Sequence, residues 1–159
     1  MNTEQQEAFM REAIALSLTN IKTCKGGPFG AVIVKNGEII ARGANNVTST
    51  NDPTAHAEVV AIRQACEHLQ TFQLTGCEIY ASCEPCPMCL GAIYWARLDK
   101  LYYANTKTDA AAINFDDKFI YEELEKPLEH RTLFTQQLLR DEALEAFKKW
   151  SQMDEKIEY

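Results

Sequence analysis

Ser82-Cys83-Glu84-Pro85-Cys86-Pro87-Met88-Cys89, read together with His56-Ala57-Glu58, decides how this chain is understood. Cys86 and Cys89 are two thiols separated by two residues, placed where a strand is expected to turn into a helix. His56 supplies a nitrogen donor. Glu58 supplies a carboxylate that need not touch a metal. Zinc favours thiolate and imidazole, and a catalytic zinc keeps three protein ligands and one open position for water. The ion lowers the pKa of that water from about 15.7 to about 7. A carboxylate beside the metal, but not bound to it, can then move protons in both directions. His56, Cys86 and Cys89 are therefore the candidate zinc ligands, and Glu58 is the candidate proton shuttle.

Outward from this stretch, strands alternate with helices. Residues 3–21 read as a packing helix, with Thr3 and Gln6 as a capping box and Met10, Ile14, Leu18 and Ile21 as its apolar face. Phe29 to Lys35 and Glu38 to Gly43 read as strands joined by Asn36-Gly37, a strong hairpin signal that makes the pair antiparallel. Ala44 to Asp52 is a polar loop, and Asn45 at its start can offer both a donor and an acceptor to a base edge. Asp52-Pro53-Thr54 reads as a helix entry, which puts His56 and Glu58 in the first turn of a helix running to about Leu69. The positive end of that helix is expected to keep His56 neutral. Residues two apart do not share a helix face, so one site can use both only if it lies off the helix end. Strands are also expected at Glu78–Ser82, Lys100–Ala104 and Arg131–Leu139, with helices at Pro87–Leu98, Lys118–Glu125 and Asp141–Met153. The pattern predicts a three-layer α/β/α sandwich with a five-stranded mixed sheet, in one domain over residues 1–159.

Composition narrows the function. Of the 159 residues, 46% are hydrophobic, which excludes a disordered chain. The net charge of −7 argues against a surface built to hold phosphate backbones, so nucleic acid is not the expected partner. Three of the six cysteines crowd between Cys83 and Cys89, unlike a secreted disulfide scaffold. The N-terminus is polar and acidic, and no apolar run reaches membrane-spanning length. These features predict a cytoplasmic protein with reduced thiols.

Other readings of the cysteines remain open at this level. Cys83 as a fourth ligand would close a structural zinc site, although Glu58 then has no role. Cys83, Cys86 and Cys89 also fit the start of an iron–sulfur run, but Ile93 and Tyr94 stand where its next cysteine and proline belong. A redox pair would not require His56 and Glu58. Cys24, Cys66 and Cys77 read as small apolar residues, and His68 and His130 as ordinary surface residues.

His-x-Glu followed by Pro-Cys-x-x-Cys is an established signature of zinc nucleobase deaminases. With Gly27 to Val34, Asn45-Asn46 and Asn51 to Glu58, the chain resembles the cytidine deaminase-like superfamily. Within it, the chain is most similar to the bacterial guanine deaminases. That similarity continues through Ala92 to Arg97, Thr108 to Ala111 and Phe115-Asp116-Asp117, to Glu158-Tyr159. The resemblance implies that guanine and water give xanthine and ammonia. Hydroxide on zinc would attack C2, and Glu58 would carry protons to N3 and to the leaving amine. It implies that Asn45 binds the base edge, that Phe29 and Trp95 wall the pocket, and that Asp117 (with Asp116 beside it) and Tyr159 approach the substrate. It further implies a homodimer in which the C-terminal segment can cross to the partner subunit. The alternatives are a tRNA adenosine deaminase, a deaminase of another free base or nucleoside such as cytosine or guanosine, and a zinc-stabilised interaction domain.

Overall fold

The computed structural model describes residues 2–115 and 117–159. The chain divides into two compact units, Met1–Lys118 and Phe119–Tyr159.

The first unit is built on a four-stranded sheet in the order β2-β1-β3-β4, comprising β1 (Gly30–Lys35), β2 (Glu38–Ala44), β3 (Cys77–Cys83) and β4 (Lys100–Asn105). β1 pairs antiparallel with both β2 and β3, whereas β3 and β4 are parallel. The turn between β1 and β2 has positive φ at both Asn36 and Gly37, as a tight two-residue hairpin of this kind requires.

Side chains of β1 alternate between two cores. Ala31 and Ile33 point to one face, where they meet Ala57, Ala61 and Ala65 of helix α3 (Ala57–Leu69) and Ile93 of helix α4 (Pro87–Trp95). Val32 and Val34 point to the other, where they meet Phe9, Met10 and Leu16 of helix α1 (Thr3–Lys22). Helices therefore cover both faces, and the three-layer α/β/α sandwich is present with a mixed sheet.

Two glycines set how closely the helices approach. A Cβ on Gly30 would lie 2.3 Å from the carbonyl oxygen of Ala13 in α1. One on Gly43 would lie 2.1 Å from the carbonyl oxygen of Ala57, in the first turn of α3. Gly43→Ala is therefore expected to push α3 off β2 at the turn that carries Glu58. The expected loss is about 2–3 kcal/mol, read from the urea midpoint. An unchanged midpoint would show that the contact yields without cost.

α1 departs from the expected packing. Its cap is Asn2, whose side chain accepts from the Gln5 amide while Gln5 reaches back to Asn2, one residue earlier than expected. Its buried face is Ala13, Ser17 and Asn20, and Ile14, Leu18 and Ile21 are exposed. The close approach to Gly30 selects small side chains for the contact line, so the stripe of large apolar residues turns outward.

The loop after β2 contains one helical turn, α2 (Val47–Thr50), and another short helix, α5 (Lys107–Ala111), follows β4. The second unit carries α7 (Arg140–Ser151) and the helix α6 (Lys118–Glu125), which starts on the last residue of the first unit. The expected fifth strand at Arg131–Leu139 is not formed. Leu133-Phe134 and Leu138-Leu139 come in adjacent pairs, so no face of period two exists. Its start is also held back against α6. The Glu123 carboxylate accepts from the Thr132 amide at 2.7 Å, and Arg131 donates to the carbonyls of Lys126 and Leu124. No residue of the second unit is buried. Among the described residues, no helix is long and apolar enough to cross a membrane.

Candidate metal centre

Two helix ends meet at one point. His56 is the N-cap of α3 and Cys86 the N-cap of α4, both with extended backbone (φ −68°, ψ 155° and φ −65°, ψ 167°). The helix expected from Asp52 begins only at Ala57. Asp52 instead closes a local turn, accepting from the amide and the hydroxyl of Thr54. This answers the spacing problem, because His56 stands outside the helix and is not bound to its flank. Pro87 opens α4 at its first position, and Cys89 follows in the same turn.

His56 Nδ1 lies 3.5 Å from Cys86 Sγ and 3.4 Å from Cys89 Sγ. The three donor atoms all lie within 4.8 Å of one another. One imidazole and two sulfurs suit zinc and leave a tetrahedral ion one position to spare. Glu58 lies outside this mutual set of donors, yet its carboxylate is within hydrogen-bonding reach of Cys89. It is 7% exposed. Burial pushes its carboxyl above the usual carboxylate range. Cys83 takes no part: its sulfur sits 3.6 Å from the carbonyl oxygen of Thr106, and burial raises its thiol to about 11.

Without metal, the two ligand thiols share one negative charge. A hydrogen bond from Cys89, then one from His56, hold Cys86 down at about 4, while Cys89 is pushed up by donating to Cys86. The neighbouring Cys86 also raises His56, opposite to the expected effect of the helix end. The Cys86 pKa is depressed, so its stabilising contribution holds above the ordinary thiol value of 9.0 and is lost as pH falls through about 4. Metal-free protein is thus expected to carry one thiolate from this pair at neutral pH. Its ultraviolet absorbance should bleach only on acidification to about 4. Bleaching near the ordinary thiol value would contradict this geometry.

The other residues expected at the site lie on several elements. Asn45 is buried at the end of β2, and its Oδ1 accepts from the amides of Gly27 (3.2 Å) and Val47 (3.3 Å). Phe29 meets Phe115 edge-on at 4.9 Å between ring centroids. Asp117 is half-buried, and its charge is felt at Cys83. Trp95 closes α4, about two and a half turns beyond Cys86, and is 62% exposed with the Arg97 guanidinium 5.7 Å from its ring. Tyr159 is the last residue of the second unit and is 70% exposed. Asp116 lies outside the described residues. Ser82 carries no role in the motif read from the sequence. Its buried hydroxyl accepts from the Gly30 amide at 3.0 Å and ties β1 to the strand end beside the ligands. Only the pairing of distant strands reveals such a bond.

Residues 3–105 match the family model of the cytidine and deoxycytidylate deaminase zinc-binding region. The chain belongs to this deaminase family. Within the family, guanine deaminase of Bacillus subtilis (strain 168) is 55% identical over 153 residues, 96% of this chain and 98% of the relative. The X-ray structure of guanine deaminase from Bacillus subtilis matches with a TM-score of 0.95 at 54% identity, covering 100% of this chain and 99% of that one. A guanine deaminase structure from Nitrosomonas europaea gives a TM-score of 0.67 at 36% identity, covering 70% of this chain and 64% of the other. The tRNA-specific adenosine deaminase of Aquifex aeolicus (strain VF5) is 49% identical, but over only 77 residues, 48% of this chain and 51% of the relative.

Proposed function

We propose that this chain, acting as one deaminase domain over residues 1–159, hydrolyses guanine to xanthine and ammonia. The observation that carries the reading is the three-donor cluster with a buried carboxylate standing outside it. Similarity to a guanine deaminase along nearly the whole chain selects the substrate. His56, Cys86 and Cys89 hold zinc, which supplies the Lewis acidity that makes a water-derived nucleophile available at neutral pH. Glu58 takes one proton from water and delivers it to N3 as C2 is attacked, then takes the remaining proton of the added hydroxyl and passes it to the departing amine, leaving the C2 carbonyl of xanthine and ammonia. Burial raises its pKa, which suits a group that must both accept and return a proton near neutrality. Asn45 offers its Nδ2 to the base edge, because its Oδ1 is occupied by two backbone amides. Phe29, braced by Phe115, and Trp95 wall the base, and Asp117 approaches it.

The working form in this proposal is a cytoplasmic homodimer. The exposed apolar side chains of the second unit support it: Phe134 is 85% exposed and no residue of that unit is buried, more than a lone soluble surface ordinarily leaves. The acidic charge disfavours a tRNA substrate, whose backbone requires a basic surface. A panel of guanine, guanosine, cytosine and a tRNA anticodon stem, read by ammonia release and ultraviolet change, tests the reading. Turnover of guanine far above the others is expected. Editing of the tRNA with guanine untouched would overturn it.

A further inference from the structure

Asn20 is an amide near the C-terminal end of α1, only 3% exposed, on a helix whose other buried residues are the small Ala13 and Ser17. A buried amide is costly unless both of its N–H groups are used. Here both are. Nδ2 donates to the carbonyl oxygen of Gly27 and to that of Asn45, each at 2.8 Å. These carbonyls belong to separate segments, the turn before β1 and the end of β2. The segments are packed so closely that a Cβ on Gly26 would lie 2.1 Å from the Asn45 carbonyl oxygen. Asn45 answers with its own bonds. Its amide donates to the Phe29 carbonyl at 3.1 Å, and its Oδ1 receives the amides of Gly27 and Val47. An atom facing two N–H donors must be the oxygen, so Asn45 Nδ2 is the end left over.

We infer that Asn20 is a positioning residue for the base-binding amide: it pins Gly27 and Asn45 together, so that Asn45 presents a donor and only a donor. Without the Asn20 carboxamide, the buried Asn45 carbonyl loses its donor and the half-buried Gly27 carbonyl keeps only the Phe29 amide. The turn at Gly26–Phe29 then loses its side-chain tie to α1, and the Gly27 amide, one of the two that orient Asn45 Oδ1, drifts with it. Substrate binding weakens, while the metal and Glu58, on other elements, keep their geometry. The inference rests on the role given to Asn45 in the proposed deaminase.

The test is Asn20→Ala in the full-length zinc enzyme, with guanine as substrate. KM is expected to rise about tenfold, with kcat within about threefold and zinc at one per chain, the signature of lost uniform binding. A purely architectural residue would lower the melting temperature and leave KM of the folded enzyme alone. A double-mutant cycle separates these cases. Asn20→Ala combined with Asn45→Ala should lose no more kcat/KM than Asn45→Ala alone, within about twofold, because Asn20 acts only through Asn45. Multiplying losses, or an unchanged KM in Asn20→Ala, would overturn the inference. Should Asn20→Ala yield no folded protein, Asn20→Ser decides by the same readouts, and failure of both to fold with zinc also overturns it. Wild-type enzyme inert toward guanine would instead sink the substrate reading and leave the cycle to be run on whichever base is turned over.

Discussion

Glu58→Gln is expected to lower kcat by about a thousandfold or more while the protein keeps one zinc per chain. A general acid–base group contributes roughly a hundred to ten-thousandfold, and Glu58 serves several proton transfers in one turnover. Glutamine keeps the volume of the side chain, so the packing around this buried position survives. It removes only the ability to accept and return a proton. The carboxylate lies outside the donor cluster, so metal content should not change. Steady-state kinetics with metal analysis on the same sample checks both halves. Loss of zinc with activity would make Glu58 a ligand. Retained turnover would place the proton shuttle elsewhere.

Cys89→Ser is expected to fail at the earlier step of holding the metal. Cys89 is fully buried in the first turn of α4, and its sulfur lies 3.4 Å from His56 Nδ1. Serine preserves shape but replaces a soft thiolate with a poor zinc donor. Outer partners of zinc ligands alone cost about 10–100-fold in affinity when changed, so loss of a ligand should exceed that. Zinc should fall well below one per chain and deamination should fall to background. The fold should remain, because the cores on both faces of the sheet are assembled from α1, α3, α4 and the strands without the cluster. Atomic absorption and circular dichroism on one preparation decide this. Full zinc loading would remove Cys89 from the ligand set, and global unfolding would make the metal part of the fold itself.

The features legible in the sequence were local. Asn36-Gly37 announces its hairpin because both residues tolerate positive φ, and the structure has both there. The ligands were legible because zinc chemistry restricts residue type and spacing together. What the sequence concealed was set by tertiary contact. The outward turn of Ile14, Leu18 and Ile21 follows from the tight seat of α1 on Gly30, a contact that no periodicity encodes. The raised pKa of His56 depends on Cys86, thirty positions away in the chain. Nothing in the sequence singles out Asn20, because its two carbonyl partners come from loops whose approach only the fold defines. At Arg131–Leu139 the error was one of period, since adjacent apolar pairs satisfy the composition of a strand without its alternation.

X-ray absorption at the zinc edge of the loaded enzyme is the most direct test of the central claim. The account predicts two sulfur neighbours at about 2.3 Å, one nitrogen at about 2.0–2.1 Å and one further light atom that a competing ligand can replace. A third sulfur, or four protein donors with no replaceable neighbour, would contradict it.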